Sequence, residues 1–281
     1  MIRTIGVCGA GTMGCGIAQV AAMAGYPTIL CDVDAAMLGK ARSLIEKNLS
    51  ALREKGRLTA AALTGAVGRL SFGASPEDCR ADLIIEAVVE RPDIKEKLFL
   101  ALARINSRDT ILASNTSSLS LNALAEHIPQ PERFAGMHFF NPAPQMKLVE
   151  VIRTRFSSED TVSTILDIAR RMGKTPVLCT DSPGFIVNHV ARPYYLEALR
   201  LLELGWSDIE TIDALMEAAG FKMGPFRLMD LIGNDINYAV SESVYAALGN
   251  PPRLEPSRIQ RQKVMEGALG RKTGKGYYRY E

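Results

Sequence analysis

Short apolar runs alternate with longer amphipathic stretches through the first two-thirds of the chain, the pattern of successive β-α units. Ile5-Gly6-Val7-Cys8 reads as a buried strand, followed by a glycine turn and a helix over 12–24. Thr28-Ile29-Leu30-Cys31 is the next strand and closes on Asp32. Met37, Leu38, Ala41, Ile45, Leu49 and Leu52 then recur at helical spacing, which predicts a helix over 35–55. Leu83-Ile84-Ile85 and Thr110-Ile111-Leu112 read as further strands around a helix over 93–105, and 134–138 and 148–152 as later strands. A helix over 158–171 and a strand at Pro176-Val177-Leu178 complete this region.

After Asp181-Ser182-Pro183-Gly184 strand runs nearly vanish and helical spacing takes over, at about 187–204, 207–219, 228–248 and 257–266. Ser207 with Glu210 three residues on has the form of a capping box. The predicted organisation is a Rossmann-like α/β domain over 1–183, followed by an all-helical C-terminal domain over 184–281. Residues 5–24 are apolar enough to suggest a membrane span or signal. Five glycines break the run, and no compact apolar block with a cleavage site is left.

Composition removes whole classes of function. With 33 Lys+Arg against 31 Asp+Glu the net charge is +2, so nothing supports a nucleic-acid partner, which requires a clustered basic face. Apolar residues at 47% and charged ones at 23% are globular values and argue against long disorder. Five scattered cysteines without a C-x-x-C pair exclude a disulfide framework and a standard structural zinc site, and suit a reducing, cytoplasmic compartment.

Gly9-Ala10-Gly11-Thr12-Met13-Gly14 matches G-x-G-x-x-G between a strand and a helix, with an acid, Asp32, 21 residues after Gly11 at the end of the next strand. Gly9 permits the tight turn, Gly11 the approach of a pyrophosphate, and Gly14 close helix–strand packing. The helix N-terminus favours the phosphate anion. Asp32 would accept hydrogen bonds from the ribose. No Arg follows it and a carboxylate repels a 2′-phosphate, so NAD is expected over NADP, with FAD a smaller alternative. Of three histidines, His127 lies in a polar loop. His138 ends an apolar strand, where ligands of doubly wound sheets sit; beside two phenylalanines, spacing alone favours a core residue.

Several motifs stand in order: Ser114-Asn115-Thr116-Ser117-Ser118, Gly136-Met137-His138-Phe139-Phe140-Asn141-Pro142, Lys147-Leu148-Val149-Glu150-Val151, Ser182-Pro183-Gly184-Phe185-Ile186-Val187-Asn188, Met223-Gly224-Pro225-Phe226 and Gly270-Arg271-Lys272-Thr273-Gly274. Together they resemble the short-chain 3-hydroxyacyl-CoA dehydrogenase family over nearly the whole chain. The resemblance implies His138 as the catalytic acid/base, Glu150 as its carboxylate partner, and Ser117 and Asn188 as the groups that hold the reacting oxygen. It also implies cofactor contacts from Ser117, Asn141, Glu90, Lys95 and Lys272, and coenzyme A contacts from Ser50 and Lys55, with Arg53 and Arg57 as alternates. The resemblance further implies that 1–183 bind NAD and 184–281 carry substrate and dimer contacts, and the expected reaction interconverts an (S)-3-hydroxyacyl-CoA, 3-hydroxybutyryl-CoA first, and its 3-oxoacyl-CoA in a homodimer. No metal and no membrane partner are expected.

The chain departs from the family pattern at three places. Glu54 stands where some relatives have Lys, His189 where Arg is common, and Arg227 where Glu is common. Facing an acyl tail, Arg227 could read a second carboxylate, as in 3-hydroxyadipyl-CoA. The same scaffold would also serve a dehydrogenase of free hydroxy acids, or a retired enzyme kept as an NAD(H)-binding structural protein. Ser117 as a helix cap and Glu150 as a surface ion pair are the competing structural readings of those residues.

Overall fold

The structure is a computed structural model that describes residues 1–280 and divides into two compact units, one ending at Asp181 and one starting at Ser182. The first is built on an eight-stranded sheet in the order β3-β2-β1-β4-β5-β6-β7-β8. Its chain order is β1 (Ile5–Cys8), α1 (Thr12–Met23), β2 (Thr28–Cys31), α2 (Ala35–Glu54), α3 (Ala60–Gly68), β3 (Leu70–Gly73), β4 (Leu83–Glu86) and α4 (Pro92–Ile105). Then follow β5 (Ile111–Ser114), α5 (Leu121–Ala125), β6 (Phe134–Phe139), β7 (Leu148–Arg153), α6 (Glu159–Arg171) and β8 (Thr175–Thr180).

All pairings are parallel except β6 with β7. β1, β4 and β5 are buried at every residue, as parallel strands covered on both faces must be, which is why they read as unbroken apolar runs. Ile5, Val7, Leu30, Leu83 and Ile85 pack with Ile17 and Ala18 of α1 and with Ile45 and Leu49 of α2. β1 sits between β2 and β4, so the chain winds outward in both directions from it. That reversal opens a crevice at the carboxyl ends of the strands.

The second unit holds α7 (Val187–Glu203), α8 (Ile209–Ala218), α9 (Pro225–Ile232), α10 (Asn234–Ala247) and α11 (Arg258–Met265), packed around Tyr195, Leu199, Phe226, Met229 and Val244. Two sequence expectations change here. The N-cap of α8 is Asp208, whose carboxylate accepts from Thr211 N at 2.7 Å, and not Ser207. The helix expected over 228–248 is two helices, because Gly233 takes φ +104°, in the left-handed region, and ends α9. No helix among the described residues is long and apolar enough to cross a membrane.

Candidate active site

The glycine turn is shaped by what a side chain would meet. Gly9 has φ +105°, and a Cβ there would lie 2.5 Å from the Ala87 carbonyl oxygen. A Cβ on Gly14 would fall 1.7 Å from the Gly9 oxygen, so this glycine lets α1 close against β1. Gly11 differs: nothing lies within 4 Å of its Cβ position, and no side chain caps α1 behind it. The space is a cavity of about 860 Å³, lined by Gly9, Gly11, Thr12, Met13, Asp32 and Val88 among others. The Asp32 carboxylate accepts from Ala10 N at 2.7 Å and from Asp34 N at 2.9 Å, tying the strand end to the turn. An open cradle, uncapped helix N–H groups and an acid at its rim fit a dinucleotide.

Further along the sheet, β6 and β7 pair with His138 directly opposite Glu150. Residues facing each other across an antiparallel pair share one face of the sheet. The imidazole Nδ1 lies 2.7 Å from Glu150 Oε2, and both residues are buried, at 5% and 1% exposure. A carboxylate only accepts, so Nδ1 carries the hydrogen and Nε2 is the nitrogen through which a ligand would exchange a proton. The Phe140 ring packs on the imidazole with centroids 4.6 Å apart. Glu150 is therefore no surface ion pair.

Ser117 lies three residues past the end of β5, the parallel neighbour of β6, in a loop fastened on two sides. Asn115 Oδ1 accepts from Phe139 N at 2.8 Å. Glu90 Oε1 accepts from Thr116 Oγ1 at 2.6 Å and from the Ser117 and Ser118 amides at 3.0 and 3.2 Å. Lys95, which the resemblance implies as a cofactor contact, is fully buried. Its ammonium lies 2.5 Å from Glu86 Oε1 and 3.1 Å from Glu90 Oε2. Burial works against the charged form of Glu90, but Lys95 and the loop donors outweigh it and hold this carboxyl below its ordinary value. At Glu86 burial prevails over Lys95 and pushes the carboxyl up. Sequence reasoning missed Glu86, Ser114 and Thr116; a lone acid at the carboxyl end of an all-apolar strand was the available signal. The cap of α5 is Ser120, so Ser117 is not a helix cap.

Ser50 is half-buried near the end of α2, while Arg53, Lys55 and Arg57 are exposed around its C-terminus, where Gly56 turns the chain. Asn141 is exposed just after β6. In the second unit, half-buried Asn188 stands in the first turn of α7, and its carbonyl accepts from buried Arg192 at 2.9 Å. His189 Nδ1 donates to the Pro183 carbonyl at 3.0 Å. Lys272 pairs with Asp235 at 2.6 Å. Arg227 stacks on the Tyr278 ring at 4.3 Å, with Asp213 and Glu217 oxygens each 3.9 Å from its Nε.

A doubly wound sheet, a glycine cradle at its switch point and a buried His–Glu pair near a strand end define a dinucleotide-binding α/β fold with a built candidate site. Comparison with known proteins narrows the class. Residues 4–182 match the 3-hydroxyacyl-CoA dehydrogenase NAD binding domain and residues 184–280 the 3-hydroxyacyl-CoA dehydrogenase C-terminal domain. The chain belongs to the 3-hydroxyacyl-CoA dehydrogenase family. It is 45% identical to 3-hydroxyadipyl-CoA dehydrogenase of Escherichia coli K12 over 99% of its own length and 59% of that protein's. It is 43% identical to a probable 3-hydroxybutyryl-CoA dehydrogenase of Deinococcus radiodurans, over 98% and 99%. Among solved structures, 3-hydroxybutyryl-CoA dehydrogenase of E. coli K12 superposes with TM-score 0.97 at 44% identity, covering 100% of this chain and 60% of that one. (S)-3-Hydroxybutyryl-CoA dehydrogenase of Ralstonia eutropha gives 0.95 at 38%, with both chains fully covered. The chain thus spans about three-fifths of the length of these E. coli relatives.

Proposed function

We propose that the chain interconverts (S)-3-hydroxyacyl-CoA and 3-oxoacyl-CoA thioesters, with 3-hydroxybutyryl-CoA and acetoacetyl-CoA as the preferred pair. The observation that carries this reading is the buried His138–Glu150 pair at a strand end of a dinucleotide-binding sheet. NAD, when bound, supplies the hydride acceptor. His138 Nε2 takes the hydroxyl proton as the carbinol hydrogen leaves as hydride, and returns it to the nascent alkoxide in the reductive direction. Glu150 holds the ring in one tautomer and stabilises the imidazolium that forms. Ser117 and Asn188 donate hydrogen bonds to the reacting oxygen as its charge changes.

Gly9, Ala10, Gly11, Thr12, Met13 and Gly14 would cradle the pyrophosphate and Asp32 the ribose, its carboxylate disfavouring a 2′-phosphate. Glu90, Asn141 and Lys272 complete the cofactor contacts in this reading, and Lys95 acts through Glu90. Ser50 and Lys55, with Arg53 and Arg57 beside them, would meet the coenzyme A phosphates. We take the protein to work as a homodimer in the cytoplasm, which its five free thiols and exposed Val190, Trp206, Leu215 and Phe221 on the helical unit support.

The name of the E. coli relative raises 3-hydroxyadipyl-CoA as a second substrate. Arg227 is already faced by two carboxylates and a tyrosine ring, which favours the short, uncharged acyl group. Comparing kcat/KM for the two thioesters before and after Arg227→Ala decides between them; a loss confined to the dicarboxylate would favour the second substrate. The primary test is NADH consumption with acetoacetyl-CoA, repeated with His138→Ala. Activity that disappears in the variant supports the mechanism. A wild type that binds NADH without turnover would refute it in favour of a structural role.

A further inference from the structure

The loop that carries Ser117 is not held by its own sequence alone. Glu86, at the carboxyl end of β4, accepts from α4, from β5 and from the loop that follows it. Oε1 takes Lys95 Nζ of α4 at 2.5 Å and Val88 N at 2.8 Å, and Oε2 takes Ser114 Oγ of β5 at 2.6 Å. Lys95 in turn donates to Glu90 Oε2, which leaves Glu90 Oε1 turned to Thr116, Ser117 and Ser118. The path from Glu86 to the Ser117 amide therefore runs through one fully buried ammonium and one carboxylate. We propose that Glu86 is a positioning residue which, by fixing Lys95 and Ser114, sets the orientation of Glu90 and so the conformation of loop 115–118 that presents Ser117.

The charge count supports this over a purely stabilising ion pair. One buried ammonium needs one carboxylate, and a second, fully buried one adds desolvation cost. Glu86 is 0% exposed and keeps its place because it satisfies donors from both strand ends and from the helix at once. Lys95 stands in the first turn of α4 on a long, rotatable stem, so Glu86 fixes where its ammonium sits, and with it the anchor that holds Glu90 Oε2 while Oε1 serves the loop donors.

The inference rests on Ser117 acting as a substrate contact, and its test is made without turnover first. In unliganded E86A, amide hydrogen exchange at Ser117 and Ser118 is expected to accelerate about 10-fold or more while Ile84 and Ala113 keep wild-type rates. With acetoacetyl-CoA and NADH, kcat should fall by about 10- to 100-fold with a much smaller change in the KM for NADH. E86Q keeps an acceptor for Lys95 and should restore most of both, leaving about a threefold rise in loop exchange. Loop amides that exchange at wild-type rates, or that accelerate together with Ile84 and Ala113, overturn the proposal. If E86A does not fold, E86Q decides alone: a rise confined to the loop supports positioning, and an unchanged loop overturns it. An inactive wild type with the predicted exchange pattern would sink the dehydrogenase reading and leave the positioning intact.

Discussion

Glu150→Gln isolates the electrostatic part of the proposed chemistry with little change of shape. In the wild type the Glu150 carboxylate lies 2.7 Å from Nδ1, and both side chains are almost wholly withdrawn from water. The centres of an imidazolium and that carboxylate are about 4 Å apart, which at an effective dielectric near 20 is worth about 4 kcal/mol. The neutral ring enjoys only an ordinary hydrogen bond, so nearly all of this favours the protonated state that forms as the alcohol gives up its proton. At about 1.4 kcal/mol per tenfold, kcat for alcohol oxidation should drop by about a thousandfold. The carboxamide oxygen of the variant can still accept from Nδ1–H, so NADH affinity should hold and stability should change by no more than about 1 kcal/mol. His138→Ala is less clean, because it strips a buried carboxylate of its imidazole and costs about 3–5 kcal/mol of stability by itself. Stopped-flow NADH formation from 3-hydroxybutyryl-CoA, with thermal melts on the same samples, is the assay. A folded Glu150→Gln variant that binds NADH and turns over within about threefold of wild type would refute the role given to Glu150.

Three further expectations follow from single distances. Gly11→Ala has room and an ordinary φ of −70°, so it should melt at or slightly above wild type yet lose NADH binding, because its methyl enters the cavity; Gly14→Ala, 1.7 Å from the Gly9 oxygen, should instead lose about 1–3 kcal/mol of stability. Unchanged titration calorimetry for Gly11→Ala would remove the dinucleotide from this turn. Asp32→Ala gives up the acceptor for Ala10 N and Asp34 N as well as for the ribose, and should weaken NADH by about 10- to 100-fold while NADPH weakens less; equal loss of both would show that the carboxylate sets no preference. Burial, aided by the Asp213 carboxylate, pushes the Tyr194 phenol up to about 12 from its ordinary 10. The stability this gives is complete below pH 10 and is lost as pH rises from 10 towards 12, where the unfolded chain ionises first. Tyr194→Phe should flatten that limb in alkaline denaturation, and an identical slope would count against the phenol.

Most of the fold was legible because its signals are local. The apolar runs at Ile5–Cys8 and Leu83–Ile85 are strands buried on both faces, and the helical spacing from Met37 to Leu52 falls within α2. What escaped is short or weakly patterned. α3 is Ala-Ala-Ala-Leu-Thr-Gly-Ala-Val-Gly, with no charged residue to mark an outer face, and β3 and α5 have only four and five residues. Gly233 looked like one tolerated glycine in a helical run, since its backbone angle is set by the tail, where Gly270 packs against the Asp230 backbone. At the site, the glycine turn and Asp32 were readable from spacing. His138 and Glu150 were not, because the intervening residues say nothing about register, and their pairing came from family resemblance. The burial of Lys95 was not legible, because an isolated lysine in an amphipathic helix carries no mark of its partners; only the fold brings two acids to it.

That register is itself the product of contacts far from either residue. Along β6 and β7 the pairs Gly136–Ile152, Met137–Val151, His138–Glu150 and Phe139–Val149 keep one alignment, and a slip by one residue would carry Glu150 to the opposite face. A parallel neighbour reached by a crossover could supply a carboxylate too, but only the antiparallel return brings one back so soon along the chain. The returning segment 140–147 must then be pinned, or the alignment drifts. Two anchors do this. The buried Lys174 ammonium donates to the carbonyls of Ala143 and Met146, and burial, helped by the nearby Lys147 charge, pulls its pKa down. On the other side Gly16 of α1 lets the segment nest: a Cβ there would stand 3.0 Å from both Ala143 Cβ and Pro144 Cδ. The helix whose N-terminus faces the cavity at the glycine turn is thus the same rigid body against which the His–Glu alignment is set, so the glycine turn and the His138–Glu150 pair hold a common frame through one glycine.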